Sequence, residues 1–273
     1  MGFKKDWGTW INKLTYQLSQ IGLVKSTRDA QKSLNVDWNF SKAAIRDQLT
    51  TAPVIYAVSQ TLFRRADHWP EHLQVLGQRA RKIEGLTPLP EDLITFLDGV
   101  EKPLFISFGS MKSNTIEATS RLILQTLTAL EIPAVINTSS GGIVAVDDYA
   151  SSPQFYFTNE VAYELIFPKV YAVIHHGGAG TTHQGLRHGK PTLIIPHAMD
   201  QYSWNQLVYD RKARPLGPSI KDIDQENFRR ALKDLYNNPI YKQNAEKLGS
   251  QMQAGNLDDK LYAFMMRYGG SGA

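Results

Sequence analysis

Short apolar runs alternate with helix-like segments from about Lys102 onward, and this alternation limits the folds open to the chain more than any other feature. The runs are PLFISFG, PAVINT, QFYFT, YAVIHH and PTLIIP, which begin at Pro103, Pro133, Gln154, Tyr171 and Pro191. Strands that alternate with helices in this way are typical of parallel sheets covered by helices on both faces. The predicted fold class is therefore α/β, with a Rossmann-like, doubly wound parallel sheet. We also predict a helical tail from Asp224 to Arg267, with a break at Gly255.

Residues before about Gly99 do not follow this pattern. They contain helix-like segments and only two short strand candidates, 52–58 and 73–77, and two strands make a poor independent core. A chain of 273 residues suggests about two domains. We therefore expect a partial N-terminal domain and its linker over residues 1–98, and the main domain over residues 99–273. Prolines are expected to interrupt regular structure in the linker, 86–103.

The composition excludes several classes of protein. Without cysteine the chain has no disulfide framework and no thiolate metal site. The net charge is +4, but the basic residues are spread along the chain, so we expect no nucleic-acid partner. No apolar run approaches the roughly 20 residues of a membrane span, and the N-terminus lacks the apolar core of a signal peptide. The chain is therefore expected to be cytoplasmic.

A glycine-rich stretch, IHHGGAGTTHQG, runs from Ile174 to Gly185, across the end of the fourth predicted strand and into a helix that Gly189 is expected to end. A glycine turn at a helix N-terminus is a natural anion site, because unpaired N–H groups and the helix dipole point at the ligand. His176, Thr181 and Thr182 add side-chain donors. The stretch matches neither the Walker loop nor the dinucleotide fingerprint. A tight turn without a ligand stays open as the alternative.

Two further polar loops follow predicted strands. PHAMDQYSWNQ runs from Pro196 to Gln206 after the fifth strand, and FGSMKS runs from Phe108 to Ser113 at the end of the first. In open parallel sheets ligands bind beyond the carboxyl ends of the strands, so these loops and the glycine stretch are expected to line one cleft. Asp200 and Gln201 offer a carboxylate and an amide, which suit sugar hydroxyls that both donate and accept hydrogen bonds.

These motifs together resemble those of the GT-B nucleotide-sugar glycosyltransferases, in particular the UDP-glycosyltransferase group that includes sterol glucosyltransferases and bacterial antibiotic glycosyltransferases. The resemblance is carried by SFGSM (Ser107 to Met111), LIFPKVYAVIHHGGAGTTHQGL (Leu165 to Leu186), GKPTLIIP (Gly189 to Pro196) and DQYSW (Asp200 to Trp204). It implies that residues 99–273 form the C-terminal, donor-binding domain of such an enzyme. It also implies transfer of a hexose, glucose foremost, from a UDP-sugar to a hydroxyl of a lipid, sterol or other small hydrophobic acceptor, with no cofactor.

The resemblance implies roles for individual residues. The donor-binding residues would be Gly109, Ser110, His176, Gly177, Gly178, Gly180, Thr181, Thr182, Asp200, Gln201 and Trp204. The residues of the glycine stretch would hold the diphosphate, and Gly109 and Ser110 would approach it from the first loop. Asp200 and Gln201 would bind the sugar hydroxyls, and Trp204 fits the family's aromatic residue after that pair.

The family's N-terminal acceptor domain, which carries the histidine that deprotonates the acceptor, has almost no counterpart before Gly99. The segment from Ala57 to Gln78 resembles only the end of that domain, so no catalytic residue is assigned. We expect either a truncated form or a chain that works with a partner supplying the acceptor side. A non-catalytic module that binds a nucleotide sugar or a protein stays open, as does, with a poorer fit, a nucleotide-sugar 2-epimerase. Residues before Gly99 are expected to expose apolar surface that drives self-association or partner binding.

Five histidines lie close together in the sequence: His175, His176, His183, His188 and His197. They lack the H-E-x-x-H spacing and are expected to point in different directions, so we predict no metal site. His175 is expected to pack against the sheet and His176 to face the cleft, because neighbouring strand residues alternate sides.

The N-terminal stretch GFKKDWGTWINK, residues 2–13, mixes lysines with Trp7 and Trp10. It fits peripheral contact with an anionic membrane surface, or burial of both tryptophans against a domain. A lipid or sterol acceptor would favour the membrane interpretation.

Overall fold

The structure, a computed structural model, describes residues 9–34, 40–111 and 115–269, and for residues 9–20 it describes the backbone alone. Trp7 and the side chain of Trp10 lie outside this description, so both interpretations of the N-terminal stretch stay predictions. In chain order the elements are α1 (Thr9–Ser33), α2 (Lys42–Thr51), β1 (Val54–Tyr56), β2 (Leu73–Val75), α3 (Glu91–Asp98), β3 (Leu104–Ser107), α4 (Ile116–Ala129), β4 (Ala134–Asn137), α5 (Asp147–Ala150), β5 (Phe155–Thr158), α6 (Tyr163–Ile166), a 3₁₀ helix (Phe167–Lys169), β6 (Ala172–His175), α7 (Ala179–Arg187), β7 (Thr192–Ile194), α8 (Gln201–Asp210), α9 (Gln225–Asn237), α10 (Pro239–Gln253) and α11 (Leu257–Tyr268).

Five parallel strands form the main sheet, in the order β5-β4-β3-β6-β7. β3 lies at the centre, where Leu104 is opposite Ala134 on one side and Ala172 on the other. The chain builds outward from β3 through β4 and β5, and then returns to place β6 on the other side of β3. This reversal of strand order opens a crevice at the carboxyl ends of β3 and β6. The prediction of an α/β fold with a doubly wound parallel sheet is confirmed.

Both faces of the sheet are buried. Successive residues of each strand point to opposite faces, so each strand contributes side chains to two apolar clusters. The face that packs against α4 and α9 includes Ile106, Ile136, Ile174, Leu124 and Leu232. The face that packs against α3, α6 and the 3₁₀ helix includes Phe105, Val135, Val173, Leu93 and Phe167. Burial on both faces explains why the strands are continuous apolar runs rather than alternating ones.

The predicted linker, 86–103, contains a helix that the sequence analysis did not predict. α3 follows Pro90, which occupies the N-cap position. The acidic residues in its first turn interact favourably with the positive end of the helix dipole. Leu93 and Leu97 are buried in the sheet's apolar core. Pro90 therefore precedes a helix rather than interrupting regular structure.

The C-terminal tail is helical, as predicted, and consists of α9, α10 and α11. Gly255 lies in the break between α10 and α11, also as predicted. A second break occurs at Asn238, whose side chain accepts a hydrogen bond from the Ile240 N–H and caps α10, with Pro239 at its first position. Proline suits that position because its missing N–H would have no partner within the helix.

The described residues form two compact units. The first comprises the described parts of residues 1–56, 65–74 and 261–273, and the second comprises those of residues 57–64 and 75–260, including the whole five-stranded sheet. The predicted domain boundary between residues 98 and 99 stays a prediction. Segments 57–64 and 75–98, which lie before that boundary, belong to the same compact unit as the sheet. No helix in the described part of the chain is long and apolar enough to cross a membrane.

The substitution Leu93→Ala in α3 is expected to lower the free energy of unfolding by about 2–5 kcal/mol, because it removes a fully buried side chain. The matched control is Thr95→Ala at an exposed position of the same helix, where we expect a change within about 0.5 kcal/mol. Urea unfolding followed by circular dichroism measures both changes. Equal midpoints for the two variants would contradict the assignment of α3 to the core.

Candidate functional site

Two adjacent histidines at the carboxyl end of β6 have opposite surroundings. His175 is fully buried: its Nδ1 accepts a hydrogen bond from the Gly177 N–H at 3.0 Å, and its Nε2 lies 3.1 Å from Thr192 Oγ1. Burial lowers the pKa of His175 to about 3, and the charges of His176 and Arg214 act in the same direction. The ring therefore stays neutral and holds the turn that follows β6.

His176 is partly exposed and lies between two glycines. A Cβ atom on Gly109 would lie 3.2 Å from its Cε1, and one on Gly178 would lie 2.7 Å from its Nε2. Its Nδ1 is buried and makes no hydrogen bond of good geometry to any described residue. Burial lowers the pKa of His176, opposed by the Ser107 carbonyl and the Asp200 carboxylate. The ring is thus neutral at pH 7, in a slot that a side chain at Gly178 would obstruct.

Helix α7 begins inside the glycine stretch, and no described side chain caps its N-terminus. Gly178 occupies the N-cap position, and the N–H of Thr182 donates to the Gly178 carbonyl at 3.0 Å. The preceding N–H groups, of residues 179–181, have no acceptor within the helix and form its positive end. Thr181 is partly exposed beside them. The buried Thr182 hydroxyl instead donates to Gly178 O at 2.9 Å, so this predicted phosphate ligand is already engaged inside the helix.

Two other glycines of the stretch have different surroundings. Gly177 has φ +95°, and a Cβ there would lie 2.8 Å from Ile194 Cγ2 and 3.2 Å from the Gln201 carbonyl oxygen. Gly180 is exposed, and a Cβ there would meet only Gln78 Nε2, at 3.9 Å. Packing and backbone conformation therefore require glycine at Gly177, whereas neither requires it at Gly180.

The loop after β7 brings the predicted sugar-binding residues to the start of α8. Asp200 is exposed, and its Oδ2 accepts a hydrogen bond from Trp204 Nε1 at 3.1 Å. Gln201 is buried, and its Oε1 accepts hydrogen bonds from the N–H groups of His197 at 2.8 Å and Ala198 at 3.0 Å. The Asp200 carboxylate therefore faces open space, whereas the Gln201 amide holds its own loop.

The first loop meets both of these segments. Gly109, in a left-handed conformation with φ +55°, lies against His176, and Ser110 is exposed. Met111 Sδ accepts a hydrogen bond from Gln201 Nε2 at 3.5 Å. Residues 112–114, the end of the predicted loop, lie outside the described residues. The described parts of the three predicted loops thus meet around His176.

Sequence reasoning missed three features near this cleft. Gly142, after β4, packs so closely on the first loop that a Cβ there would lie 2.3 Å from Gly109 O. Gln184 Nε2 donates to the buried Glu164 Oε1 at 3.2 Å. A cavity of about 380 Å³ lies beside α7, with Gln78 and Gln184 in its wall. The glycines of the SSGG sequence after the second predicted strand could have indicated the close packing of Gly142. No local sequence pattern indicates the hydrogen bond between Gln184 and Glu164 or the cavity.

Comparison with known proteins supports the resemblance seen in the motifs. Residues 148–258 match the family described as "Erythromycin biosynthesis protein CIII-like, C-terminal domain". Over these residues the chain is similar to the C-terminal domain of GT-B UDP-glycosyltransferases. The resemblance inferred from the motifs is confirmed.

Curated relatives of the chain include the sterol 3-beta-glucosyltransferase UGT80A2 of Arabidopsis thaliana, which is 30% identical over 201 residues, covering 72% of this chain and 31% of the relative. A sterol 3-beta-glucosyltransferase of Pichia angusta is 25% identical over 260 residues, covering 93% of this chain and 19% of the relative. The chain therefore spans less than a third of the length of these curated relatives.

Solved structures share the fold. The glycotransferase of kitacinnamycin aligns with a TM-score of 0.65 at 17% identity, covering 88% of this chain and 67% of that structure. The spinosyn forosaminyltransferase SpnP aligns with a TM-score of 0.61 at 18% identity, covering 79% of this chain and 54% of that structure. These likenesses support a GT-B architecture for the sheet and its helices.

Because Gly177 and Gly180 differ in their surroundings, alanine should affect them in opposite ways. Gly177→Ala is expected to cost on the order of 2–4 kcal/mol of stability, from left-handed strain and overpacking. Gly180→Ala is expected to leave stability unchanged or to raise it by up to about 1 kcal/mol, because alanine is the better helix former. Thermal unfolding measures both. A comparable loss for Gly180→Ala would mean that packing alone explains this glycine.

Proposed function

We propose that this chain is the donor-binding part of a glycosyltransferase that transfers a hexose, glucose foremost, from a UDP-sugar to a hydroxyl of a lipid, sterol or other small hydrophobic acceptor. The observation that carries the proposal is the placement of His176 between Gly109 and Gly178, beside the uncapped N-terminus of α7. Such an arrangement of free N–H groups and an imidazole suits a diphosphate. The curated relatives, which are named as sterol 3-beta-glucosyltransferases, support the sugar and acceptor classes.

The proposed chemistry is displacement at the anomeric carbon of the hexose. The acceptor oxygen forms a new bond to that carbon while the bond to the diphosphate oxygen breaks and its electron pair leaves with the diphosphate. The N-terminus of a helix acts as about half a positive charge, so α7 and His176 would stabilise the leaving group as its charge develops. The base that takes the acceptor's proton is not assigned to a residue of this chain.

Asp200 is the proposed contact for the hexose. Trp204 Nε1 orients one carboxylate oxygen, Oδ2, and leaves Oδ1 to accept hydrogen bonds from sugar hydroxyls. In this structure Gln201 supports the same loop through the N–H groups of His197 and Ala198. Direct contact of Gln201 with the sugar, as the resemblance implies, would require its side chain to exchange these partners.

Isothermal titration of the 273-residue chain with UDP and UDP-glucose, in the presence of a chelator, tests the proposal. His176→Ala is expected to weaken both ligands about 10-fold or more, because a hydrogen bond to a charged group contributes about 1.5–3 kcal/mol. Asp200→Ala is expected to weaken UDP-glucose alone. Gly180→Ala, whose fold should be intact, is expected to weaken both ligands by obstructing the phosphates.

The matched control for the titration is His188→Ala, since His188 lies at the end of α7 remote from its N-terminus. It should bind both ligands as the wild type does. No saturable binding by a folded wild-type chain, or equal losses in His176→Ala and His188→Ala, would contradict a donor site at the glycine stretch.

A second candidate, a protein-interaction module, is favoured by an apolar groove in the first compact unit. Pro53 and Ile55 line it together with Tyr262, Met265 and Met266, the last three of which are more than half exposed. An acceptor-side partner chain, a second copy or a membrane surface would suit this groove. Sedimentation and binding of a hydrophobic dye are expected to reveal association and exposed apolar surface. A monodisperse monomer that binds no dye would count against this candidate.

A further inference from the structure

We propose that His197 is a second donor-binding imidazole in the cleft, and that its Nε2 contacts a phosphoryl group of the bound nucleotide sugar opposite His176. This inference rests on the proposed donor site and adds to it a residue that neither the motifs nor the resemblance assigns. His197 follows β7 and precedes the loop that carries Asp200.

Four contacts place the His197 ring at the cleft. Its centroid lies 6.3 Å from that of His176, with the planes at 87°, and 5.2 Å from that of Phe108. Its backbone N–H donates to Gln201 Oε1 at 2.8 Å. Its Nδ1 lies 3.0 Å from the Ile195 carbonyl, which can only accept, so Nδ1 carries the proton. The ring is therefore held on three sides, at a separation from His176 that allows both rings to reach one phosphoryl group.

The remaining ring atom, Nε2, has no hydrogen bond to any described residue, and His197 is only half-buried. Packing on Phe108 would be satisfied equally well by an apolar aromatic side chain. The bond to Ile195 would be satisfied by an asparagine. An imidazole is the one side chain that makes both contacts and also keeps a second ring nitrogen free to bind a ligand.

The electrostatic surroundings fit an anion that arrives with the donor. Burial lowers the pKa of His197, opposed by the Ile195 carbonyl, and a proton on His176 would lower it further. From the other elements in contact with His197, Phe108 and Gln201 present uncharged side chains, and the Asp200 carboxylate raises the pKa of His176. Both imidazoles are thus neutral at pH 7 in the free chain, and a diphosphate between them would raise both pKa values. Binding should then take up protons from solvent, and affinity should fall as pH rises.

The experiment is titration of the full chain with UDP-glucose at pH 7 in two buffers of different ionisation enthalpy, which gives affinity and proton uptake together. UDP-glucose is preferred for proton counting because the terminal phosphate of UDP itself titrates near about pH 6. His197→Asn can keep the Ile195 bond but cannot reach the cleft, and His197→Gln can reach it without titrating. His188→Gln, with the same change of residue type at the end of α7, is the control.

We expect His197→Asn to weaken UDP-glucose and UDP by about 10-fold or more, because one hydrogen bond to a charged group is lost, and to reduce proton uptake. His197→Gln should recover most of the affinity without the proton uptake, and the control should change neither. Unchanged affinity and proton uptake in His197→Asn would overturn the proposal and leave His197 as a residue that holds its loop. A loss for UDP-glucose but not UDP would also overturn it, because the contact would then be with the sugar.

The failure of this inference is distinguishable from failure of the proposed function. If the wild-type chain binds and His176→Ala weakens binding while both His197 variants do not, only the role of His197 is wrong. If the folded wild-type chain does not bind UDP or UDP-glucose, the donor site itself is wrong, and the role of His197 falls with it. Circular dichroism of each variant confirms that comparisons are made between folded proteins.

Discussion

The cleft depends on the parallel pairing of β3 with β6 at the centre of the sheet. Ser107 lies opposite His175 in that pairing, so the two strands end together and deliver Gly109 and His176 to the same point. Their register is set by burial on both faces, because a slip by one residue would exchange the Ile106 and Phe105 faces of the core. The position of the glycine stretch is therefore determined by the buried sheet rather than by the loop itself.

The two interpretations of the glycine stretch, a tight turn and a phosphate cradle, prove to be compatible rather than exclusive. Gly177 turns the backbone beside Gln201, and Gly178 leaves room for the imidazole of His176. Both glycines thus have structural reasons that hold without a ligand. The same turn leaves α7 without a capping side chain from any described residue, so an anion or water can satisfy its first N–H groups. Gly180 is the exception, since no described residue packs closely enough to require glycine there, and the proposed ligand would supply a physical reason for it.

How much of this could be predicted from the sequence depends on the range of the interactions. The five strands are continuous apolar runs, and the opposite orientations of His175 and His176 follow from strand alternation, so local pattern was sufficient. α3 was missed because Pro90 precedes a helix as readily as it ends one, and only the burial of Leu93 decides between them. The engagement of Thr182 and Gln201 could not be predicted, because each has several acceptors or donors within reach and the folded loop selects among them.

The proposed donor binding and the proposed glycosyl transfer would make different demands on this chain. The side chains proposed to contact the donor, His176, Asp200 and His197, belong to one compact unit and are positioned by its own strands and loops. Donor affinity should therefore be a property of that unit. Transfer also requires an activated acceptor, and only interactions that strengthen in the transition state accelerate it. The α7 N–H groups and the imidazoles would meet that condition in the proposed reaction, because negative charge grows on the diphosphate as its bond to the sugar breaks. A binding assay therefore measures the leaving-group side alone, whereas turnover measures both sides.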